Sequence, residues 1–410
     1  MVAVIPVIIL AAVLAAIFLR DFFRLPVAPW QAMAAGSALA LLFGQISPAD
    51  AFFAIDWEVM LFLYGMLLLA LFLQESWYLE HLGYKVLHRF KRPFFILLAI
   101  VLAIGAGSAL LLNDTVAIIG VPLCLVMAAR SKIRSAPLLV ALALAVTIGG
   151  VASPIGNPQN FIIASQSAFA DAFGAFIFYL GLPTLLSLMA LACLLWLAFP
   201  ELCRLKRFEA DVHVRTPTYY AARRGLQVVI ALSFLRLLAP AVPWVPLFPL
   251  YFIALAGAAV ALALSRQWKT LLKVDWETLV FFAGMFILME SVWLSGFFQQ
   301  FLPQQEKLGE PGAILLSSLL LSQVISNVPF VMLYIKALGA SATPVSLALL
   351  AAGSTLAGGL TLMGAASNII IQQTAEKRGE RFPMAEFTLV GATSTVVSLA
   401  LIYAWMAFVG

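Results

Sequence analysis

Leu112-Asn113-Asp114-Thr115 stands in the middle of a run of 37 otherwise largely apolar residues, Phe94 to Arg130. A membrane crossing takes about 20 residues, so the run is too long for one helix and is interrupted at its own centre. It is either two full spans or a re-entrant helical hairpin with its tip at residues 113–115. Irregular backbone at membrane depth is tolerated only where protein or a cavity surrounds it. Similar interruptions follow. The span that begins near residue 136 breaks at Ser153-Pro154-Ile155-Gly156-Asn157-Pro158-Gln159-Asn160 and resumes at Phe161. A second long run, Pro311 to Lys336, is broken at Ser326-Asn327-Val328-Pro329. The span from about 345 to 376 breaks through Gly358-Gly359-Leu360-Thr361 and Gly364-Ala365-Ala366-Ser367-Asn368.

The chain around these breaks has 410 residues, 63% apolar and only 10% charged, with a mean hydropathy of +1.04. Soluble domains run at roughly 45–50% apolar and about 25% charged, so a water-soluble globule is excluded and an all-α polytopic membrane protein is expected. At about 20 residues per span there is room for on the order of ten to twelve crossings and none for a soluble catalytic module. Val2 to Leu19 lacks the basic start of a secretory signal and reads as a retained first span. Further spans are expected near 28–45, 58–74, 173–199, 225–240, 248–264, 276–294 and 386–409, with a charged amphipathic stretch at Glu75 to Arg92. Three histidines and three scattered cysteines without Cys-x-x-Cys or His-x-x-x-His spacing argue against a metal, haem or other cofactor. No nucleophile, base and orienting group converge by spacing, so an enzyme is not expected.

The two halves match residue by residue. Asp56-Trp57-Glu58 with Gly65-Met66 recurs as Asp275-Trp276-Glu277 with Gly284-Met285, and Asn113 pairs with Asn327. Thr147, Gly150, Gly156 and Asn160 pair with Thr355, Gly358, Gly364 and Asn368. The offset shrinks smoothly along the chain, as for a duplication whose second copy has shorter loops. The expected organisation is a first repeat over 1–200, a linker over 201–224 and a second repeat over 225–410.

If each interrupted run is a hairpin, each copy has five full crossings, and an odd number makes the copies inverted. With both termini outside, 21 of the 24 lysines and arginines fall on the inner side. They are Arg20, Arg24, the residues flanking the first hairpin, six in the linker, Arg266, Lys269, Lys273, Lys377, Arg378 and Arg381. Lys307 and Lys336 fall outside and Arg236 lies within a span. Reading the runs as full spans scatters this pattern, so the positive-inside rule favours the hairpins. The basic balance of +5 then reflects loops rather than nucleic acid binding.

Broken helices aim their partly positive N-termini and partly negative C-termini at a shared centre. N-termini suit an anion or an oxygen-rich solute, and exposed carbonyls with Asn, Ser and Thr oxygens suit Na⁺ or a proton. Asp114 is the one ionisable group at the centre, where its charge is costly unless paired or hydrated; it is also placed to cap the second arm of the hairpin. Arg236 is expected to snorkel to the outer interface. The acids of the two Asp-Trp-Glu motifs are expected to cap the helices they begin.

The segments 112–115, 153–160 and Ser322-Gln323-Val324-Ile325-Ser326-Asn327-Val328-Pro329 resemble signature positions of the ion transporter superfamily. That group contains arsenite efflux permeases, citrate and dicarboxylate/sodium carriers and a class of Na⁺/H⁺ antiporters; the resemblance is greatest to its bacterial anion permease branch. It implies a homodimer in the bacterial inner membrane, with a scaffold and a transport part that moves like an elevator. It also implies two half-sites: Asn113, Asp114 and Thr115 with Ser153, Asn157 and Asn160, and Ser326 and Asn327 with Thr361, Ser367 and Asn368. Asn-Asp at the first tip is closer to the arsenite permease pattern than to the Ser-Asn-Thr of the dicarboxylate carriers, and the second tip lacks the Thr hydroxyl. The expected function is secondary transport of a small anion or oxyacid (carboxylate, arsenite or inorganic anion) coupled to H⁺ or Na⁺, with Asp114 in coupling. A Na⁺/H⁺ antiporter and an anion channel remain as alternatives.

Overall fold

A computed structural model describes residues 4–23, 27–166, 169, 171–206, 216–242, 246–300 and 305–409. Arg24, Arg207 and Arg215 of the charge pattern lie outside the described residues. Among the described residues every regular element is helical. The first half contains α1 (Ile5–Phe23), α2 (Pro29–Leu42), α3 (Pro48–Ala54), α4 (Trp57–Ser76), α5 (Tyr78–Leu87), α6 (Pro93–Leu110), α7 (Asn113–Ser131), α8 (Ala136–Gly150) and α9 (Pro158–Ala164). It ends with α10 (Ala172–Phe176), which runs through a π turn into α11 (Leu182–Ala198). The second half contains α12 (Pro217–Leu238), α13 (Leu250–Ser265), α14 (Trp276–Leu294), α15 (Gln305–Leu308), α16 (Pro311–Ile325), α17 (Asn327–Leu338), α18 (Pro344–Leu356), α19 (Ala366–Glu376) and α20 (Met384–Val409). Among the described residues seven helical segments are long and apolar enough to cross a membrane: Trp57–Ser76, Pro93–Leu110, Asn113–Ser131, Ala172–Ala198, Pro217–Ala241, Trp276–Leu294 and Met384–Val409. The chain is therefore an integral, multi-pass membrane protein.

Local chemistry sets where the helices start. Proline opens α2, α6, α12, α16 and α18, where its missing N–H costs nothing. Asp56 Oδ1 accepts from the Glu58 and Val59 amides at 3.0 and 3.1 Å, and Asp275 Oδ1 accepts from the Thr278 amide at 3.1 Å. The acids of the duplicated Asp-Trp-Glu motif thus cap α4 and α14, as expected of helix-starting carboxylates.

Packing divides the helices into two bodies. In the first, α12 packs on α13 and α4, α4 on α13, α1 on α2, and α2 on α14. In the second, α6 and α7 pack on α8, α16 and α17 on α18, α11 on α20, and α7 on α19. The pairings recur between the halves: α4 against α13 matches α14 against α2, and α6 against α8 matches α16 against α18. Contacts between the bodies are fewer and involve α4 with α7 and α9, α14 with α17, and α12 with α10. α5 touches both.

α8 is apolar on every face, and all its residues from Ala136 to Gly150 are buried. A helix of that kind belongs at the centre of its body. It approaches α6 so closely that a Cβ on Gly149 would come within 2.3 Å of the Gly105 Cα. The paired glycines therefore set the spacing of these helices.

Polar contacts gather at two ends. At one, Arg134 pairs with Glu201 and Glu386, Ser135 Oγ donates to Glu380, Lys273 pairs with Glu75, and Gln267 donates to Thr218. At the other, Arg236 pairs with Asp171, Lys336 with Glu290, and Tyr334 donates to the Leu308 carbonyl. Phe94, opening α6, packs on Trp196, and Ser131, closing α7, accepts from the Lys206 amide at 3.1 Å. Both outer ends of the first interrupted run thus lie beside residues 196–206. Glu80 on α5 is buried, its Oε2 has no partner, and burial holds its pKa above the usual carboxylate range.

Gly149→Leu should destabilise the protein by several kcal/mol, read as the unfolding midpoint in detergent, because backbone rather than a flexible side chain blocks the new group. A carboxyl with a raised native pKa favours the folded state below its unfolded pKa and loses that contribution as pH rises toward the native value. Glu80→Gln should accordingly raise the thermal midpoint at pH 8 and leave it almost unchanged at pH 4.

Candidate functional site

A helix that stops inside a body leaves its last carbonyls without intrahelical partners. Two asparagines answer that need. Asn160 Nδ2 donates to the carbonyls of Gly150 at 2.9 Å and Ser153 at 3.0 Å, stitching α9 to the end of α8. Asn368 Nδ2 donates to the carbonyls of Gly358 at 2.7 Å and Thr361 at 3.4 Å, in the same pattern across the second break. The tips dock on these breaks. The Asn113 amide donates to the Gly156 carbonyl at 3.2 Å, and Asn327 Nδ2 donates to the Gly364 carbonyl at 3.1 Å. Gly150 must lack a side chain, since a Cβ there would lie 2.7 Å from Asn113 Oδ1.

Four helices, α7, α9, α17 and α19, begin at this junction, and their first residues line one cavity of about 400 Å³. Its wall includes Asn113 and Asp114, Asn157 and Gln159, Ser326 and Asn327, and Ser367. It runs on to Trp30 at the start of α2 and to Asp275, Glu277 and Thr278 at the start of α14. Three carboxylates therefore share the wall, and among the described residues no lysine, arginine or histidine lines it.

Of the residues expected from the sequence, Asn113, Asp114, Asn157, Ser326, Asn327 and Ser367 face this cavity. Thr115, Ser153, Asn160 and Asn368 lie outside its lining, as does Thr361, which is exposed. Thr115 and Ser153 are buried, Ser153 Oγ accepting from the Ile155 amide at 3.3 Å. Thr361 Oγ1 donates to Gln323 Oε1 at 2.7 Å. Asn157 also caps α9, its Oδ1 accepting from the Asn160 amide at 2.8 Å. Ser326 holds φ of +73°, a strained value for a residue with a side chain, of the kind that clusters at ligand sites.

Several participants were not among the site residues expected from the sequence. Ser108 Oγ, on the first arm, shares its one hydrogen between Asn113 Oδ1 and the Val146 carbonyl, 2.7 Å from the latter. Thr355 crosses between the halves: its Oγ1 donates to Asn160 Oδ1 at 3.2 Å and accepts from Asn157 Nδ2 at 3.3 Å. Gln323 Nε2 donates to the Ala357 carbonyl at 2.8 Å. Asp275 and Glu277 read as caps alone, because nothing along the chain ties the start of α14 to the tips. Arg236 does not snorkel; it is buried against Asp171.

The halves differ in satisfaction. Asn113 and Asn160 find side-chain partners for Oδ1, whereas Asn327 Oδ1, Asn368 Oδ1, Ser322 Oγ and Ser367 Oγ are buried with none. Thr147, matching Thr355, donates at 3.0 Å to Ala143 within its own helix and so leaves Asn368 unserved.

The sequence model of a family described as citrate transporter matches residues 15–352. The "46 kDa membrane protein" of Mycobacterium leprae is 30% identical over 407 residues, covering 91% of this chain and 92% of that one. The "Silicon efflux transporter LSI3" of Oryza sativa subsp. japonica is 26% identical over 412 residues, covering 83% and 84%. Neisseria gonorrhoeae MtrF, described as illuminating a class of antimetabolite efflux pumps, superposes with a TM-score of 0.61 over 98% of this chain and 93% of that one, at 14% identity. That likeness shows a shared fold.

Loss of Thr355 breaks two buried bonds and loss of Thr147 only one within its helix. Thr355→Val should cost about 1–3 kcal/mol and Thr147→Val under about 1 kcal/mol, compared by thermal unfolding in the same detergent.

Proposed function

The chain belongs to the citrate transporter family of membrane transporters, and on that premise we propose that it is a secondary active carrier moving a small oxyacid in exchange or symport with H⁺ or Na⁺. The observation that carries this reading is the single cavity onto which four helix N-termini and Asp114 open. Backbone N–H groups at helix starts recognise oxygen-rich solutes without a basic side chain. Three carboxylates on the same wall disfavour a fully ionised anion, and free citrate would bring further carboxylates to them. A hydroxylated oxyacid that is neutral near pH 7, such as arsenous or silicic acid, both donates and accepts hydrogen bonds and meets no such repulsion. The silicon efflux transporter among the relatives agrees with that class.

The coupling ion is assigned to the second half-site, where Asn327 and Ser367 line the cavity and their side-chain oxygens, buried behind its surface, have no partner, and to Asp114 opposite. Oxygen donors in that number suit Na⁺ or a protonated carboxyl. The two halves are placed as inverted repeats, each with five crossings and a re-entrant hairpin (α6–α7 and α16–α17). Support comes from the common location of the Phe94 and Ser131 ends, from Tyr334 on Leu308 in the second run, and from the basic residues gathered at the end that holds Arg134 and Lys273. The cavity then opens inward, with both termini outside. The first body serves as the dimeric scaffold in a bacterial inner membrane and the second as the part that slides.

A second reading, the Na⁺/H⁺ antiporter, gains from Asp275 and Glu277, which join Asp114 on one wall. Proteoliposome flux of arsenite, silicic acid, citrate, dicarboxylates, phosphate and sulfate under separately imposed Na⁺ and proton gradients decides between them. The expected result is gradient-driven movement of a neutral oxyacid, with coupling lost in Asp114→Asn while the purified variant keeps its oligomeric state. Sodium-driven proton movement with no solute flux would replace the carrier by the antiporter; persistent conductance without coupling would replace both by a channel.

A further inference from the structure

The first body meets the second through few helices, and two ion pairs bridge that boundary. Arg236, on α12 of the first body, pairs with Asp171 at the start of α10 of the second, N to O 2.6 Å, and donates to the Phe248 carbonyl at 3.3 Å. Asp171 Oδ2 also accepts from the Gly174 amide at 2.8 Å, so its carboxylate is fixed to the second body. Lys336, on α17 of the second body, pairs with Glu290 on α14 of the first, and its ammonium lies 6.0 Å from the Trp293 ring. Both pairs are shielded: the side chains are 10% and 13% exposed for Arg236 and Asp171, and 33% and 22% for Lys336 and Glu290.

Both bridges lie at the end away from the mouth of the central cavity. The ion pairs described at the mouth end stay inside one body: Arg134 with Glu201 and Glu386 in the second, and Lys273 with Glu75 in the first. The sequence repeat supplies no copy of the Glu290–Lys336 bridge, since the matching positions are Leu71 and Pro122. Both of these bridges across the boundary thus lie at one end.

A shielded charge that loses its partner is strongly disfavoured, so a sliding body needs somewhere for Arg236 to turn. The fold provides it. A second cavity, of about 310 Å³, separates Arg236 and Phe248 of the first body from Phe161, Ala164 and Gln166 of the second, and Glu58 at the start of α4 stands on its wall. Glu58 and Arg236 sit on α4 and α12, which pack together within the first body. Their separation does not depend on where the second body stands.

We propose that Asp171–Arg236 and Glu290–Lys336 are latches that hold the second body in the state seen here, and that Arg236 passes from Asp171 to Glu58 across the outer cavity when that body moves. The inference rests on the sliding motion assigned to the carrier above. It adds to it which charges set the balance between the two positions and why the balance is asymmetric.

The test uses the full chain with Cys124, Cys193 and Cys203 replaced and spin labels at Leu264→Cys on α13 and Met189→Cys on α11, both exposed, one on each body. Pulsed distance measurements in nanodiscs should show two populations, one matching this structure. Asp171→Asn and Lys336→Met should each deplete that population by about threefold, and Glu58→Gln should deplete the other. The exchanged pair Lys336→Glu with Glu290→Lys should restore the original ratio, which a variant that merely misfolds would not do. Two populations whose ratio ignores all these substitutions would overturn the latches and leave the sliding motion standing. A single distance in the parent and in every variant would overturn both.

Discussion

Everything at the centre of this protein depends on satisfying backbone groups where a helix stops inside the packed body. An unpaired carbonyl there costs far more than at a surface, because no bulk water competes for it. Asn160 and Asn368 remove that cost with one amide each, reaching back across the break to the carbonyls of Gly150 and Ser153 and of Gly358 and Thr361. With the carbonyls stitched, the helices that begin beyond the breaks can aim their free N–H groups elsewhere. Their first residues line a shared cavity, and the tip residues Asn113 and Asn327 complete its wall by docking on Gly156 and Gly364.

The duplicated chain does not yield duplicated chemistry. Thr355 serves both Asn160 and Asn157, while its counterpart Thr147 turns back to its own helix. Ser108 engages Asn113, while its counterpart Ser322 engages nothing. One half of the site is closed upon itself; the other leaves buried oxygen atoms without donors. A buried oxygen without a donor is costly, so the two halves of the site differ in energy as well as in pairing. Charge is distributed unevenly too, since Asp171–Arg236 and Glu290–Lys336, which join the two bodies, share one end.

Much of this was legible along the chain. The interruptions at 112–115, 153–160, 326–329 and 359–368 coincide with the observed helix boundaries, because Pro, Gly, Asn and Ser act locally on φ, ψ and on the nearest amides. The Asp-Trp-Glu motifs cap α4 and α14 for the same reason. The site was legible only in outline. Asn160 and Asn368 were visible as a matched pair, yet whether an amide faces the cavity or braces the wall depends on the carbonyls around it. Gln159, beside Asn160, faces the cavity although its type has no match in the second half. Asp275 and Glu277 join Asp114 on one wall only because α14 packs across the tips.

By itself the sequence determined the membrane environment, the matched motifs of its two halves, the positions of the breaks and the membership of a transporter family, since composition, periodicity and capping act over a few residues or over the whole chain at once. Only the tertiary structure decided which polar groups brace the breaks, which oxygens stay unpartnered, that three carboxylates and, among the described residues, no basic side chain line the cavity, and that Arg236 is buried against Asp171. Those arrangements join residues far apart in the chain, such as Asn157 bonded to Thr355, or Asp114 and Asp275 on one cavity wall. Their energies turn on a few tenths of an ångström, which no spacing along the chain encodes.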